Sequence, residues 1–401
     1  MHQYLQKIST DLTTDQMGLY WPGFELVAYA IYDDSTVYLF NHPKFKSDLE
    51  QPYATVKRDN QFAACTLILY ENYPTAIVDM NLVKDYESLY ATLVHELFHG
   101  YQYLKGESRF PNEVMGITYP LLVENIQLRN LERTNLFSAF NANNSDVRDQ
   151  YIQAFIAIRE KRESIISEYL IYESLIETVE GPAWYIEYKA YNQKSSLPYN
   201  SVLNKFAPIL TDNLESSLHL RKSCYGSGLF MCLLLDKIVP DWKRSFFDSK
   251  NSLFDFLKQQ VGDFQKALIG DVPITKKSEE IFDVVMESTR KPFEQFNMEP
   301  GIHLHIEGTI TIKSFDPMNT ISLDEKRLYK TFLRVRINEK DYLIKQPVVA
   351  YFNKENKSVE KIHLILKEPP IESNYYITIE EIGVIEGKYL KKGNYLSITV
   401  K

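Results

Sequence analysis

His95-Glu96-Leu97-Phe98-His99 is the stretch whose residue types and spacing can do chemistry. On an α-helix, residues four apart lie one above the other on the same face, so His95 and His99 can each direct a ring nitrogen at a single metal ion. Glu96 follows His95 by about 100° round such a helix, within reach of a water on that ion. The pattern predicts metal-assisted hydrolysis, with Zn2+ as the ion and Glu96 as the general base that takes a proton from water and returns it to a leaving amine.

A helix must hold these residues, and the flanks supply one. Between residues 85 and 104 there is no Pro and no Gly except Gly100; Asp85 suits the start and Lys105-Gly106 the end. Leu89, Leu93, Leu97 and Leu104, with Tyr86 and Tyr101, give the apolar spacing of a buried helix. Catalytic zinc takes three protein ligands and keeps a water position, so a third ligand must come from elsewhere. With no third histidine at short spacing, a carboxylate is expected, and Glu124, Glu132, Glu173, Glu177 and Glu180 are the candidates. Glu173, Glu177 and Glu180 share one helical face, which is repulsive unless positive charge sits opposite.

Two further segments carry a resemblance. Glu180-Gly181-Pro182-Ala183-Trp184-Tyr185 resembles the Glu-Gly-x-Ala-x-Tyr segment of the gluzincins, peptidases with a His-Glu-x-x-His helix and a glutamate ligand on a following helix. Tyr225-Gly226-Ser227-Gly228, ahead of an apolar helix, is similar to the Tyr-x-x-Gly of the gluzincin aminopeptidases, whose Tyr stabilises the oxyanion. The resemblance spans residues 85–240 and implies Glu180 as the third metal ligand, Tyr225 as oxyanion donor, a zincin-type catalytic domain and a peptide or protein substrate. Glu124 and Glu177 remain alternative ligands; Glu177 is also a candidate acceptor for a ligand histidine, and His219 competes with Tyr225 as donor. His99 and Glu180 are separated by 80 residues, which implies a looped-out helical insertion over 109–174. The Gly-x-Met-Glu-Asn that grips a substrate amino terminus in those aminopeptidases is absent, so nothing points to an exopeptidase. Pro182 predicts a break or kink beside Glu180.

The rest of the chain reads as α+β: a short N-terminal β-rich part (1–84), a mainly helical region (85–295) and a C-terminal antiparallel β domain (300–401), a sandwich or barrel. Strands are expected over 27–40 in a pair, then over 63–70 and 75–80, the last being a candidate edge for holding substrate backbone. Helices are expected over 121–140, along 151–179, and over 229–238 and 253–261. The mixed-sign run Arg159-Glu160-Lys161-Arg162-Glu163 reads as a solvated face. Beyond residue 300 the period becomes two; His303 and His305 share a strand face and could bind metal, but with no third partner visible in sequence they read as surface histidines. A net charge of -8 with no basic run argues against nucleic acid as a partner. No apolar run is long enough for a membrane, and the start lacks a signal pattern, so a cytoplasmic protein is expected. Its three cysteines, without metal spacing, read as reduced thiols. The competing function is a catalytically inactive peptidase-fold zinc protein that binds a peptide or protein partner, against which the intact Glu96 speaks.

Overall fold

The structure, a computed structural model, describes residues 2–45, 51–262, 270–353, 358–373 and 375–400. It divides into two compact units, Met1–Pro111 with Glu124–Thr275, and Asn112–Val123 with Lys276–Lys401. The class is α+β as expected, with an N-terminal sheet, a helical middle and a C-terminal sheet region.

The first unit does not begin with strands. Two helices, α1 (His2–Asp11) and α2 (Thr14–Tyr20), come first, and Leu5, Ile8 and Leu12 at helical spacing anchor the first in the core. A sheet follows, built from β1 (Ala28–Tyr32), β2 (Thr36–Phe40), β3 (Ala54–Lys57), β4 (Thr66–Tyr70) and β5 (Tyr73–Asp79), in the order β3-β2-β1-β5-β4. Here an expectation is corrected: β5 is an inner strand, parallel to β1, and the edge is β4, antiparallel to it. Pro74 precedes Thr75, where the β1 register begins, so an inner strand tolerates its missing N–H.

Across this sheet lies α3 (Tyr86–Leu104), meeting it mainly at β5, with Leu89, Leu93, Val94 and Leu97 wholly buried. Asp85 caps it, its carboxylate accepting from the Ser88 amide at 2.7 Å. After the short α4 (Val114–Ile117) come α5 (Val123–Asn141), α6 (Ser145–Ile166) and α7 (Glu168–Lys194). The periodic stretch 151–179 is therefore two helices, reversed at Ser167, which adopts a positive φ of 45°. Small helices α8 (Tyr199–Phe206), α9 (Pro208–Thr211) and α10 (Asn213–Leu218) lead to the apolar α11 (Leu220–Ile238), then α12 (Lys243–Phe246) and α13 (Leu253–Val261).

The second unit takes in α4 and the long helix α14 (Lys276–Met298). Its strands are β6 (Ile302–Phe315), β7 (Thr320–Leu323), β8 (Lys326–Tyr329), β9 (Leu333–Ile337), β10 (Lys340–Ile344), β11 (Val348–Phe352), β12 (Val359–Leu366), β13 (Ile371–Ser373), β14 (Tyr376–Ile379), β15 (Gly383–Glu386), β16 (Lys388–Lys392) and β17 (Tyr395–Thr399). Nine of them form one sheet along β10-β9-β6-β12-β11-β8-β7, with β17 added parallel to β6 and β16 antiparallel to β17; β13, β14 and β15 form a second. Leu304, Ile306, Ile362 and Leu364 of the large sheet share a core with Ile377 and Ile385 of the small one, the layering of a sandwich. The opposite face of the large sheet meets α14 through Phe293 and Phe296, against Leu328, Val349 and Ile365. Among the described residues, no helix is long and apolar enough to cross a membrane.

Candidate metal centre

His95 and His99 stand one turn apart on α3, and their Nε2 atoms are 3.1 Å from each other. From α7, Glu180 brings Oε2 to 3.3 Å from His99 Nε2 and 3.6 Å from His95 Nε2. Three donors held tetrahedrally by one ion at about 2.0–2.1 Å stand about 3.3 Å apart, so this triangle has the size that a single ion requires. The group can hold a metal ion, and His95 and Glu180 are only 7% and 8% exposed.

Backbone packing fixes the spacing. Gly181 of α7 lies against Gly228 of α11: a Cβ on Gly228 would stand 2.5 Å from Gly181 Cα and 2.9 Å from the Glu177 carbonyl oxygen. Only glycine at both positions lets the helices approach so closely. The approach brings Glu180, one residue before Gly181, beside Arg221 and Tyr225 of α11. With Pro182 inside it, α7 nevertheless stays helical from Glu168 to Lys194, so the expected break is absent. Within the stretch expected as an insertion, α5 and α6 are joined to α7 by buried ion pairs.

The outer contacts select which ring nitrogen faces the ion. Gln102 donates its amide to the Val179 carbonyl at 2.8 Å, which turns Oε1 toward His99 Nδ1 at 2.7 Å. His99 Nδ1 must then be the donor, leaving the Nε2 lone pair for a metal. His95 Nδ1 lies 2.9 Å from Glu187 Oε2, close though bent away from a linear hydrogen bond. Sequence reading missed Glu187, although it follows Glu180 by two helical turns on the same face. Replacing it by glutamine is expected to weaken metal binding about 10–100-fold, read by competition with a chelator; unchanged affinity would remove Glu187 from the centre.

Burial and the neighbouring side chains shift the titratable groups of the site. Burial pushes the Glu96 carboxyl up, the two imidazoles oppose this, and Glu180 and Glu187 add to the rise. A carboxyl so tuned is nearer the range of a general base. Burial alone would lower both histidines, but the carboxylates outweigh it and raise them. Tyr225 is half-buried, its ring 6.4 Å from that of His95 and nearly parallel to it, with Trp184 against its edge. Burial, then Glu180, push its phenol well above the ordinary value, so it stays a hydrogen-bond donor. Arg221 donates to Glu180 Oε1 at 3.0 Å and holds the oxygen turned away from the histidines.

The other candidates lie elsewhere. Glu124 is exposed at the start of α5, and His219 is an exposed residue 3.6 Å from Glu215. Glu132, Glu173 and Glu177 belong to a buried ion network. Arg159 donates to Glu132 at 2.5 and 3.0 Å and to Glu177 at 2.5 and 2.7 Å; Arg162 donates to Glu132 at 2.7 Å and to Glu173 at 2.5 Å. Arg129 of α5 lies 3.5 Å from Glu173 and donates to Ser223 of α11, whose Ser227 donates to Glu177. Arg159 and Arg162 are 1% and 0% exposed, which overturns the solvated face and supplies the positive charge that the acidic row on α7 required. Glu177 is therefore spoken for, and it is Glu187 that approaches a ligand histidine.

No known protein family, curated protein or solved structure matches this chain.

Proposed function

We propose that the chain is a zinc-dependent peptidase of the gluzincin kind. The observation that carries this reading is the triangle of His95, His99 and Glu180 donors with Glu96 on the same helix. Two imidazoles and one carboxylate suit Zn2+, and such a set leaves a fourth position open for water. When bound there, zinc supplies Lewis acidity that lowers the pKa of water towards about 7. Glu96 takes the water proton as the oxygen attacks a peptide carbonyl and returns it to the leaving nitrogen. Tyr225 keeps its proton and donates a hydrogen bond to the carbonyl oxygen as negative charge builds there. The free edge of β4, which packs on α3, is suited to hold an extended peptide by backbone hydrogen bonds.

The test is zinc content and peptide cleavage, compared between the natural chain, Glu180→Ala and, as a control, Glu124→Ala. Glu180→Ala is expected to lose one zinc per chain and all hydrolysis of a quenched peptide library, with Glu124→Ala unchanged. Full zinc in Glu180→Ala would sink the proposed ligand set. Full zinc in the natural chain with no cleavage of any peptide would favour the non-cleaving zinc binder.

A further inference from the structure

Three histidines of the second unit take no part in the centre described above. His303 and His305 occupy alternate positions of β6 and so leave the same face of the sheet. Sequence alone offered them no third partner, but the fold supplies one: His363 of β12 stands directly opposite His305 in the antiparallel register. The ring of His363 is 4.3 Å from that of His305 and 5.1 Å from that of His303, and His303 Nδ1 is 2.9 Å from His363 Nε2. His303 and His363 are 9% and 3% exposed. His363 Nδ1 and His305 Nε2 are buried without a hydrogen-bond partner, a cost that protein interiors rarely leave unmet.

We propose that His303, His305 and His363 form a second metal site, for a divalent transition-metal ion that prefers imidazole. The donor set is all nitrogen and uncharged, which suits Zn2+, Cu2+ or Ni2+ and excludes Ca2+ and Mg2+, whose ligands are oxygens. Two nitrogens on one tetrahedral ion stand about 3.3 Å apart, so His303 Nδ1 and His363 Nε2, now hydrogen-bonded at 2.9 Å, exchange that bond for the ion with a small opening, and the unpartnered His305 Nε2 is the third donor. As they stand, the donors that converge on one point among the described residues are those of the first centre. Binding at the second site therefore requires the half-buried His305 to turn about its own side-chain torsions. The strand positions themselves need not move. Phe296 of α14 closes one side of His363 at 4.9 Å. The exposed Tyr395 of β17, 5.3 Å from His303 and 6.3 Å from His305, covers the other approach and can swing aside. Glu307 and Lys361, paired in the same register, are the charged residues next along this face, and they offset each other.

The experiment uses the full chain carrying His99→Ala, which disables the first centre, stripped with chelator and titrated with Zn2+ alone by calorimetry. This chain is expected to bind one Zn2+ and to melt at a higher temperature with it. Adding His305→Ala is expected to lower zinc affinity by at least about 100-fold, as is adding His363→Phe. His305 is not fully buried, so its variant can be checked for an unchanged circular dichroism spectrum and decides the matter should His363→Phe fail to fold. No binding by the His99→Ala chain, or binding that survives His305→Ala, would overturn the second site.

Discussion

Glu96→Gln is expected to keep its metal and to lose turnover by about 10³-fold, because proton transfer by a placed carboxylate contributes on that order. Gln matches Glu in size and keeps the side chain polar in a position that is 7% exposed, so α3 has no reason to shift. The residue is not among the three converging donors, so zinc content should equal that of the unaltered chain. What disappears is the group that accepts a proton, in a pocket where burial and two neighbouring carboxylates had raised its affinity for one. Metal analysis and kcat on one cleaved peptide check both halves. Zinc lost along with turnover would make Glu96 a ligand, and unaltered kcat would remove it from the chemistry.

The largest effect on stability is expected from Arg159→Leu, at about 3–5 kcal/mol, because removing one partner leaves a buried charge uncompensated. Two carboxylates, Glu132 and Glu177, would lose their shared guanidinium in a site with almost no solvent access. The melting temperature of Arg159→Leu reads this cost, and Arg159→Leu with Glu177→Leu should recover part of it. Acid should act on the same network. Burial tends to raise the Glu132 carboxyl, but Arg159 and Arg162 outweigh that and hold it down to about 2 against an ordinary 4.5. A carboxyl whose folded value is depressed stabilises the fold above its unfolded value and loses that contribution as pH falls. The melting temperature should therefore drop as pH falls from about 4.5 towards 2, with a shallower drop in Arg159→Leu. A variant as stable as the original would show that the arginine is dispensable.

The histidine helix was legible because its signals are local. Asp85 caps α3 where the sequence places a cap, and the helix spans Tyr86–Leu104 as its apolar spacing requires. Glu180 was one of five candidate carboxylates and was singled out by the resemblance; the triangle of distances gives that choice a physical reason. The parts that sequence did not disclose depend on which segments meet in space. Ser167 carries the reversal between α6 and α7 with a positive φ and neither Gly nor Pro to announce it. Without that reversal, Arg159 and Arg162 look like surface charges; with it, they face Glu177 and Glu173. The edge role passed from β5 to β4 because strand order is not a local property. His363 became a partner of His305 only through β-register, 58 positions along the chain (363 − 305). Other signals were present and passed over: Leu5, Ile8 and Leu12 at helical spacing, and Glu187 two turns beyond Glu180.

The reversal at Ser167 also bears on the order in which the first unit assembles. Its ion pairs join residues 18 and 11 positions apart, whereas the Gln102 contact that ties the histidine helix to α7 joins residues 77 apart. Short loops close at less entropic cost and sooner than long ones. The α6–α7 hairpin, with Glu180 already on it, can thus form before α3 arrives, and the imidazoles meet their carboxylate in a late step of folding. A metal ion bound by the three donors would then act as a latch on a nearly finished chain rather than as its nucleus.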